Sequence, residues 1–150
     1  MKDKVLITNR KAYRDFQIDY TIECGIALLG QEVKSLREGK ANLSDSFARA
    51  ENGEVFLYNF HINPYKFASS AVEPKRTRKL LLHKKEIRRL ASDTQRRGFT
   101  IVPLKVYFKE NRLVKIEIAL AKGKKQYDKR EDLKKKAIES EIAKELKRRR

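Results

Sequence analysis

The sequence predicts a mainly β fold: an antiparallel sheet with short flanking helices, followed by a basic C-terminal arm. Three observations carry that prediction. Apolar residues recur at every second position, most clearly in Phe16–Ile22 and Ile116–Leu120, which is the period of a half-buried strand. Asn52-Gly53 separates two strand-like stretches and matches a type I′ hairpin turn, whose central residues both need positive φ. Within Ala119–Glu131, A-L-A-K-G-K-K-Q-Y-D-K-R-E, packed-domain patterning gives way to charge at Gly123. A body over residues 1–122 and an arm over residues 123–150 follow.

In chain order, Thr8–Tyr13 is polar and fits one helical turn. Phe16, Ile18, Tyr20 and Ile22 form one face of a strand, and Gly25–Gly30 breaks that period. Glu32–Glu38 places Val33 and Leu36 on one helical face, with Gly39 as the stop. Phe47–Ala50 and Glu54–Phe60 are the strands of the Asn52-Gly53 hairpin. His61–Pro74 reads as a loop, and Leu80–Leu82 as a brief buried run. Lys84–Arg97 is an amphipathic helix with Ile87, Leu90, Ala91 and Thr94 inward and Gly98 at its end. Phe99–Phe108 and Arg112–Ala121 are two long strands. Five or six antiparallel strands with two short helices suit a closed Greek-key barrel of the oligonucleotide-binding type, because closure removes the sheet edges. An open sheet with helices on one face fits the same periodicity.

The chain has 150 residues and a formal net charge of +17, which points to a polyanionic partner, nucleic acid first. The charge is concentrated. Lys75–Arg97 holds ten basic residues against two acidic, and Lys122–Arg150 thirteen against six. The remainder is close to neutral, as a folding core requires. No apolar run approaches the roughly 20 residues of a spanning helix, and M-K-D-K-V-L-I-T-N lacks a signal-peptide core. A single cysteine, Cys24, excludes an internal disulfide and fits a reducing compartment. A cytoplasmic protein with no membrane partner is expected.

Catalytic and metal chemistry find no support. His61 and His83 form no metal-ligand pattern with Cys24. Gly25 and Gly30 have phosphate-loop spacing, but Gln31 and Glu32 stand where that loop needs Lys and Ser or Thr. No enzyme and no cofactor are expected. Cys24 reads as a small buried thiol. Lys75, Arg76, Arg78 and Lys79 crowd into five positions, where their mutual repulsion favours a polyanion. Glu32 fits either a dipole-stabilising place in a first helical turn or a carboxylate accepting from a base edge or ribose hydroxyl. Tyr127, in G-K-K-Q-Y-D-K-R, stands among cations, as base stacking with phosphate contact requires. Leu133, Ala137, Ile138, Ile142 and Leu146 recur about every fourth residue in the arm. Isolated helices of that length are marginal, so the arm is expected to order on docking.

Four ordered blocks go further: N-R-K-A at Asn9–Ala12, G-Q-E-V-K-S-L-R-E-G-K-A-N-L-S-D-S-F at Gly30–Phe47, R-T-R-K-L-L-L-H at Arg76–His83 and G-K-K-Q-Y-D-K-R at Gly123–Arg130. With them the chain resembles, over nearly its whole length, the SmpB family of bacterial proteins that bind transfer-messenger RNA. The resemblance implies an oligonucleotide-binding-type barrel that grips the tRNA-like domain of transfer-messenger RNA. It implies a tail that enters the decoding centre and mRNA channel of a stalled 70S ribosome and meets its small-subunit RNA. By position it implies RNA contacts from Asn9, Arg10, Lys11, Glu32, Lys34, Arg37, Asn42, Arg76, Arg78 and Lys79. It implies ribosomal contacts from Gly123, Lys124, Lys125, Tyr127, Asp128, Lys129 and Arg130, with Leu133, Ile138 and Ile142 seating the tail helix. A monomer is expected. A general ribosomal or single-strand RNA-binding module of the same barrel type is the alternative.

Overall fold

The computed structural model describes residues 4–68, 70–110 and 112–124. Three long strands form its frame: β2 (Phe16–Ile26), β8 (Phe99–Lys109) and β9 (Leu113–Gly123). β9 lies between the other two, paired antiparallel with both over nearly its whole length. The shorter strands β4 (Phe47–Glu51), β5 (Glu54–Tyr58) and β7 (Arg78–Leu81) close the circuit. β7 joins β2 at Gly25 and Ile26, β5 joins β7, β4 joins β5, and β4 returns to β8 through Ala48 and Ile101. The ring β8-β4-β5-β7-β2-β9 thus closes on itself, which selects the barrel over the open sheet. β1 (Lys4–Thr8) extends β8 beyond the closure point. The two-residue strands β3 (Ala41–Asn42) and β6 (His61–Ile62) pair separately.

Three of these strands, β1, β3 and β6, differ from the sequence expectation. β1 is placed by its pairing with β8, far along the chain. β6 falls inside the segment read as loop, and its pairing depends on a partner about twenty residues earlier in the chain. The helices are α1 (Arg10–Asp15), α2 (Gly30–Arg37) and α3 (Lys84–Asp93). α3 stops before Arg97: after Thr94 the backbone bonds shorten to a 3-10 pattern, Gln95 N–H donating to the Ser92 carbonyl and Arg96 N–H to that of Asp93. α2 ends at Gly39 as expected. Gly39, at φ +72°, donates to the Leu36 carbonyl, and Lys40 donates to that of Ser35, a Schellman motif. Asn52 and Gly53, at φ 51° and 76°, form the expected hairpin turn.

The barrel interior takes Val55, Leu57, Phe60, Leu80, Ile101, Ile116, Ile118 and Leu120, with Leu36 and Leu90 arriving from the helices. Cys24 lies in this core as a free thiol, and burial pushes its pKa up to about 12. A second, smaller cluster sits outside the barrel: Ala12, Val102, Leu104, Ala119 and Ala121, with Phe16 and Ile18 against it. Here α1 covers the outer face, so β8 and β9 are buried on both sides over Ile101–Leu104 and Ile118–Ala121.

β2 departs from a single apolar face. Phe16 and Ile18 join the outer cluster, whereas Tyr20 and Ile22 pack against the interior. The register shifts between Ile18 and Tyr20, and one extra residue moves the following side chains to the opposite face. β8 shifts likewise between Pro103 and Lys105.

Leu90 is fully buried and anchors α3, whose Lys84, Lys85 and Arg88 face solvent. Leu90→Ala is expected to cost about 2–5 kcal/mol of stability through lost transfer energy and a residual cavity, measured by urea unfolding.

Candidate nucleic-acid interface

The most demanding local chemistry surrounds Glu32, in the first turn of α2. Its side chain is 3 % exposed. Oε1 accepts from the Leu29 N–H at 2.9 Å and from Arg76; Oε2 accepts from Arg78 Nε at 2.8 Å, from Arg78 Nη2, and from Arg76 Nε at 3.2 Å. Arg78 is fully buried. Its remaining donors go to the carbonyls of Phe60, Arg76 at 3.1 Å and Pro74 at 3.1 Å. All five guanidinium donors are satisfied, the condition under which a charge tolerates burial. Burial alone would raise the Glu32 carboxyl, but hydrogen bonds from Arg76, Leu29 and Arg78, with the charge of Arg78, hold it below the ordinary carboxylate range. Burial pulls Arg78 down from its ordinary value and Glu32 opposes it; a guanidinium stays charged in a protein.

Asn9 is also inside, at 4 % exposure. Its Oδ1 caps α1 by accepting from Ala12 N–H at 3.2 Å. Its Nδ2 donates to the Pro103 and Leu43 carbonyls at 2.8 and 3.2 Å, and its own N–H donates to Leu104 at 2.7 Å. The carbonyls that the β8 bulge removes from the ladder are thereby paired.

The other candidates lie outward. Arg10 and Lys11 are exposed on α1, with Lys11 paired to Asp45 at 3.2 Å. Asn42 is exposed at the end of β3, and its Oδ1 accepts from Ser44 N–H at 2.8 Å. Lys34 and Arg37 project from α2; the Arg37 guanidinium lies 4.8 Å from the Phe108 ring centroid. Lys79 pairs with Glu54 at 2.7 Å, and Arg76 is partly exposed above Glu32. The structure therefore forms two groupings. One joins the start of α2 to Arg76–Lys79. The other joins α1 to the 42–46 turn around an open cleft of about 650 Å³, with Lys11, Phe16, Phe99 and Gly123 in its wall. Gly123 ends β9, and Lys124 donates to the Tyr13 carbonyl at 3.3 Å. Lys125, Tyr127, Asp128, Lys129, Arg130, Leu133, Ile138 and Ile142 lie outside the described residues, as does the stretch of the arm expected to order on docking.

Two aromatics beside the first grouping escaped the pattern reading, Tyr65 and Phe67. The available signal was P-Y-K-F, rings alternating with a cation inside a polar segment. Among the described residues no group of three or more His, Cys, Asp or Glu side chains is placed to hold a metal, and no helix is long and apolar enough to cross a membrane.

The family model for SmpB protein matches residues 6–148, taking in body and arm together. The chain belongs to the SmpB family. Proteins named SsrA-binding protein are similar to it along nearly the whole chain. That of Caldicellulosiruptor bescii is 59 % identical over 145 residues, 96 % of this chain and 91 % of the relative. That of Geotalea uraniireducens is 55 % identical over 150 residues, 99 % of each. A solved chain described by the words "tmRNA-SmpB: a journey to the center of the bacterial ribosome" matches with a TM-score of 0.67 and 52 % identity, covering 78 % of this chain and 82 % of that one.

Glu32→Gln is expected to cost about 3–5 kcal/mol, because Arg78 keeps a buried charge without its counter-charge. The native carboxyl is depressed, so the unfolded state binds more protons in acid and stability rises with pH there. The Glu32 contribution is present above its unfolded pKa of about 4.3 and disappears as pH falls through the lower native value. Urea unfolding from pH 7 to pH 3 should show that loss in the parent protein, and a correspondingly smaller loss in Glu32→Gln.

Proposed function

We propose that this protein binds the tRNA-like domain of transfer-messenger RNA and delivers it to stalled ribosomes for trans-translation. The observation that carries this reading is the family match over residues 6–148, which joins the folded body to the basic arm. A net charge of +17 supports it, as does the outward placement of Arg10, Lys11, Lys34, Arg37, Asn42 and Lys79. These side chains contact the RNA. Glu32, Arg78 and Asn9 act from beneath: they orient α2, the 74–76 segment and α1, and so set the spacing of the surface cations. The protein acts in the cytoplasm, as a monomer, and catalyses no reaction itself.

The arm has a different task. Gly123, Lys124, Lys125, Tyr127, Asp128, Lys129 and Arg130 meet ribosomal RNA in a decoding centre lacking a codon. Leu133, Ile138 and Ile142 bury one helix face in the mRNA channel, with the ordering cost met on docking. Tyr127 stacks on a base there, a contact of about 1–3 kcal/mol.

Two measurements test the division. In gel shifts, transfer-messenger RNA should outcompete bulk tRNA and single-stranded RNA; equal competition would reduce the protein to a general RNA-binding module. Log affinity should fall linearly with log salt by about 0.7–0.9 per neutralised phosphate, and Arg76→Ala with Lys79→Ala should flatten that slope. Replacing Tyr127, or Asp128-Lys129-Arg130 together, with Ala should leave RNA affinity unchanged and abolish peptide tagging on stalled ribosomes. Normal tagging by both variants would remove the decoding-centre role.

A further inference from the structure

Phe67 is 75 % exposed, more than any other large apolar side chain described. It lies on the segment between β6 and β7, one residue beyond Lys66 and two beyond Tyr65. The Phe67 and Tyr65 rings meet edge to face, with centroids 5.7 Å apart and planes at 68°. A cation accompanies each ring: Lys66 Nζ lies 5.7 Å from the Phe67 centroid, and Lys34 Nζ, from α2, lies 5.4 Å from that of Tyr65. Between this segment and the start of α2 is an open concavity of about 480 Å³, walled by Leu29, Lys34, Tyr65, Phe67 and Val72. Leu29 is itself 45 % exposed. Among the described lining residues none is acidic. Glu32, on the same turn as Leu29, is buried with both oxygens committed to Arg76 and Arg78.

A single exposed phenylalanine needs no explanation. Two rings, two further apolar side chains and the Lys34 ammonium around one concavity, with Lys66 beside the Phe67 ring, are a different arrangement. A protein partner fitted to an apolar patch would be met by few charges at its centre. A nucleotide matches the whole set: its base offers a π face to the rings, and its phosphates meet the lysines. Bases within a duplex are stacked on each other and hide their faces, so the occupant is a base splayed out of a loop or bulge. The rings and lysines accept any unstacked base, and Gln31 and Ser70, also in the wall, offer hydrogen-bonding groups to its edge.

We propose that Tyr65 and Phe67, with Lys34 and Lys66, form a stacking site for an unpaired nucleobase of the bound RNA. This rests on the RNA-binding reading above and names the contact through which the body senses an unstacked position.

The chain contains no tryptophan, so Phe67→Trp introduces a single indole, excited selectively at the red edge beyond tyrosine absorption, at an exposed position where folding is not at stake. Titrated with transfer-messenger RNA, the indole should be quenched and lose access to iodide. Phe67→Ala should weaken RNA binding about tenfold with no change in salt slope, because no charge is removed. Phe67→Tyr should restore affinity, and Lys34→Ala with Lys66→Ala should instead lower the slope. Parent-like affinity in Phe67→Ala, or an indole that stays open to iodide while gel shifts show RNA bound, would overturn the stacking site and leave the RNA reading standing. A blue shift without quenching, seen with 70S ribosomes and not with the RNA, would assign the patch to a protein partner and overturn it too. If the parent protein shifts no transfer-messenger RNA, the RNA reading itself fails, and the stacking site fails with it.

Discussion

The Glu32 carboxylate ties together parts of the chain that no strand ladder joins. It accepts from Leu29 at the entry of α2, from Arg76 44 residues later, and from Arg78 46 residues later. Through Arg78 it reaches the carbonyls of Phe60 and Pro74. Burying such a pair gains little net energy, because desolvation offsets most of the Coulombic attraction. What the arrangement supplies is geometry. Each donor has one acceptor position that satisfies it, and an alternative packing would strand a charge in a low dielectric. The start of α2 is thereby locked against the 74–78 strand entry, and Lys34, Arg76 and Lys79 acquire fixed relative positions.

A comparable device holds α1. The β8 strand shifts register at Pro103, a residue without a donor, and Asn9 takes up the carbonyls of Pro103 and Leu104. The same side chain caps α1. One asparagine thus couples a β-bulge to a helix start and seats α1 over the outer apolar cluster, where Phe16 and Ile18 arrive because β2 shifts register as well. Both devices are built from polar residues whose hydrogen-bonding capacity is used inside the protein. The side chains that reach the surface stand close to them in sequence: Arg10 and Lys11 after Asn9, Lys34 two residues after Glu32, Lys79 after Arg78, with Lys11 and Lys79 in exposed pairs with Asp45 and Glu54.

Interleaving of structural and surface residues explains how one short block can carry two roles. It also explains the charge pattern. α3 presents Lys84, Lys85 and Arg88 to solvent, while Arg89 stacks on the Tyr20 ring at 3.8 Å and Tyr20 donates to Asp93 at 2.6 Å. Part of an apparently uniform basic helix is therefore committed to holding the helix on the barrel. The aromatic residues divide likewise: Phe60 is sealed in the core beneath Arg78, and Phe67 stands in solvent beside Lys66.

The features that the sequence determined by itself are those set by near neighbours. Asn52-Gly53 specified its turn because positive φ is a property of those residues. Gly39 ended α2 for the same reason. Ile116, Ile118 and Leu120 face inward because β9 runs without a bulge and keeps its period. The concentration of charge in two windows was visible in composition, and the four ordered blocks were specific enough to imply the family and its barrel. Tertiary structure decided what depends on distant partners. Closure rests on a single β4–β8 pairing, Ala48 with Ile101, which no local period encodes. The faces of Phe16 and Ile18 depend on a one-residue shift, to which hydrophobic alternation is blind. In sequence Glu32 fitted either an acid in a first helical turn or an acceptor for RNA; it lies in the first turn of α2, inside, because two arginines more than forty residues away converge on it. A carboxylate's destination is settled by which cations the fold brings within hydrogen-bonding reach, and that is a property of the folded chain.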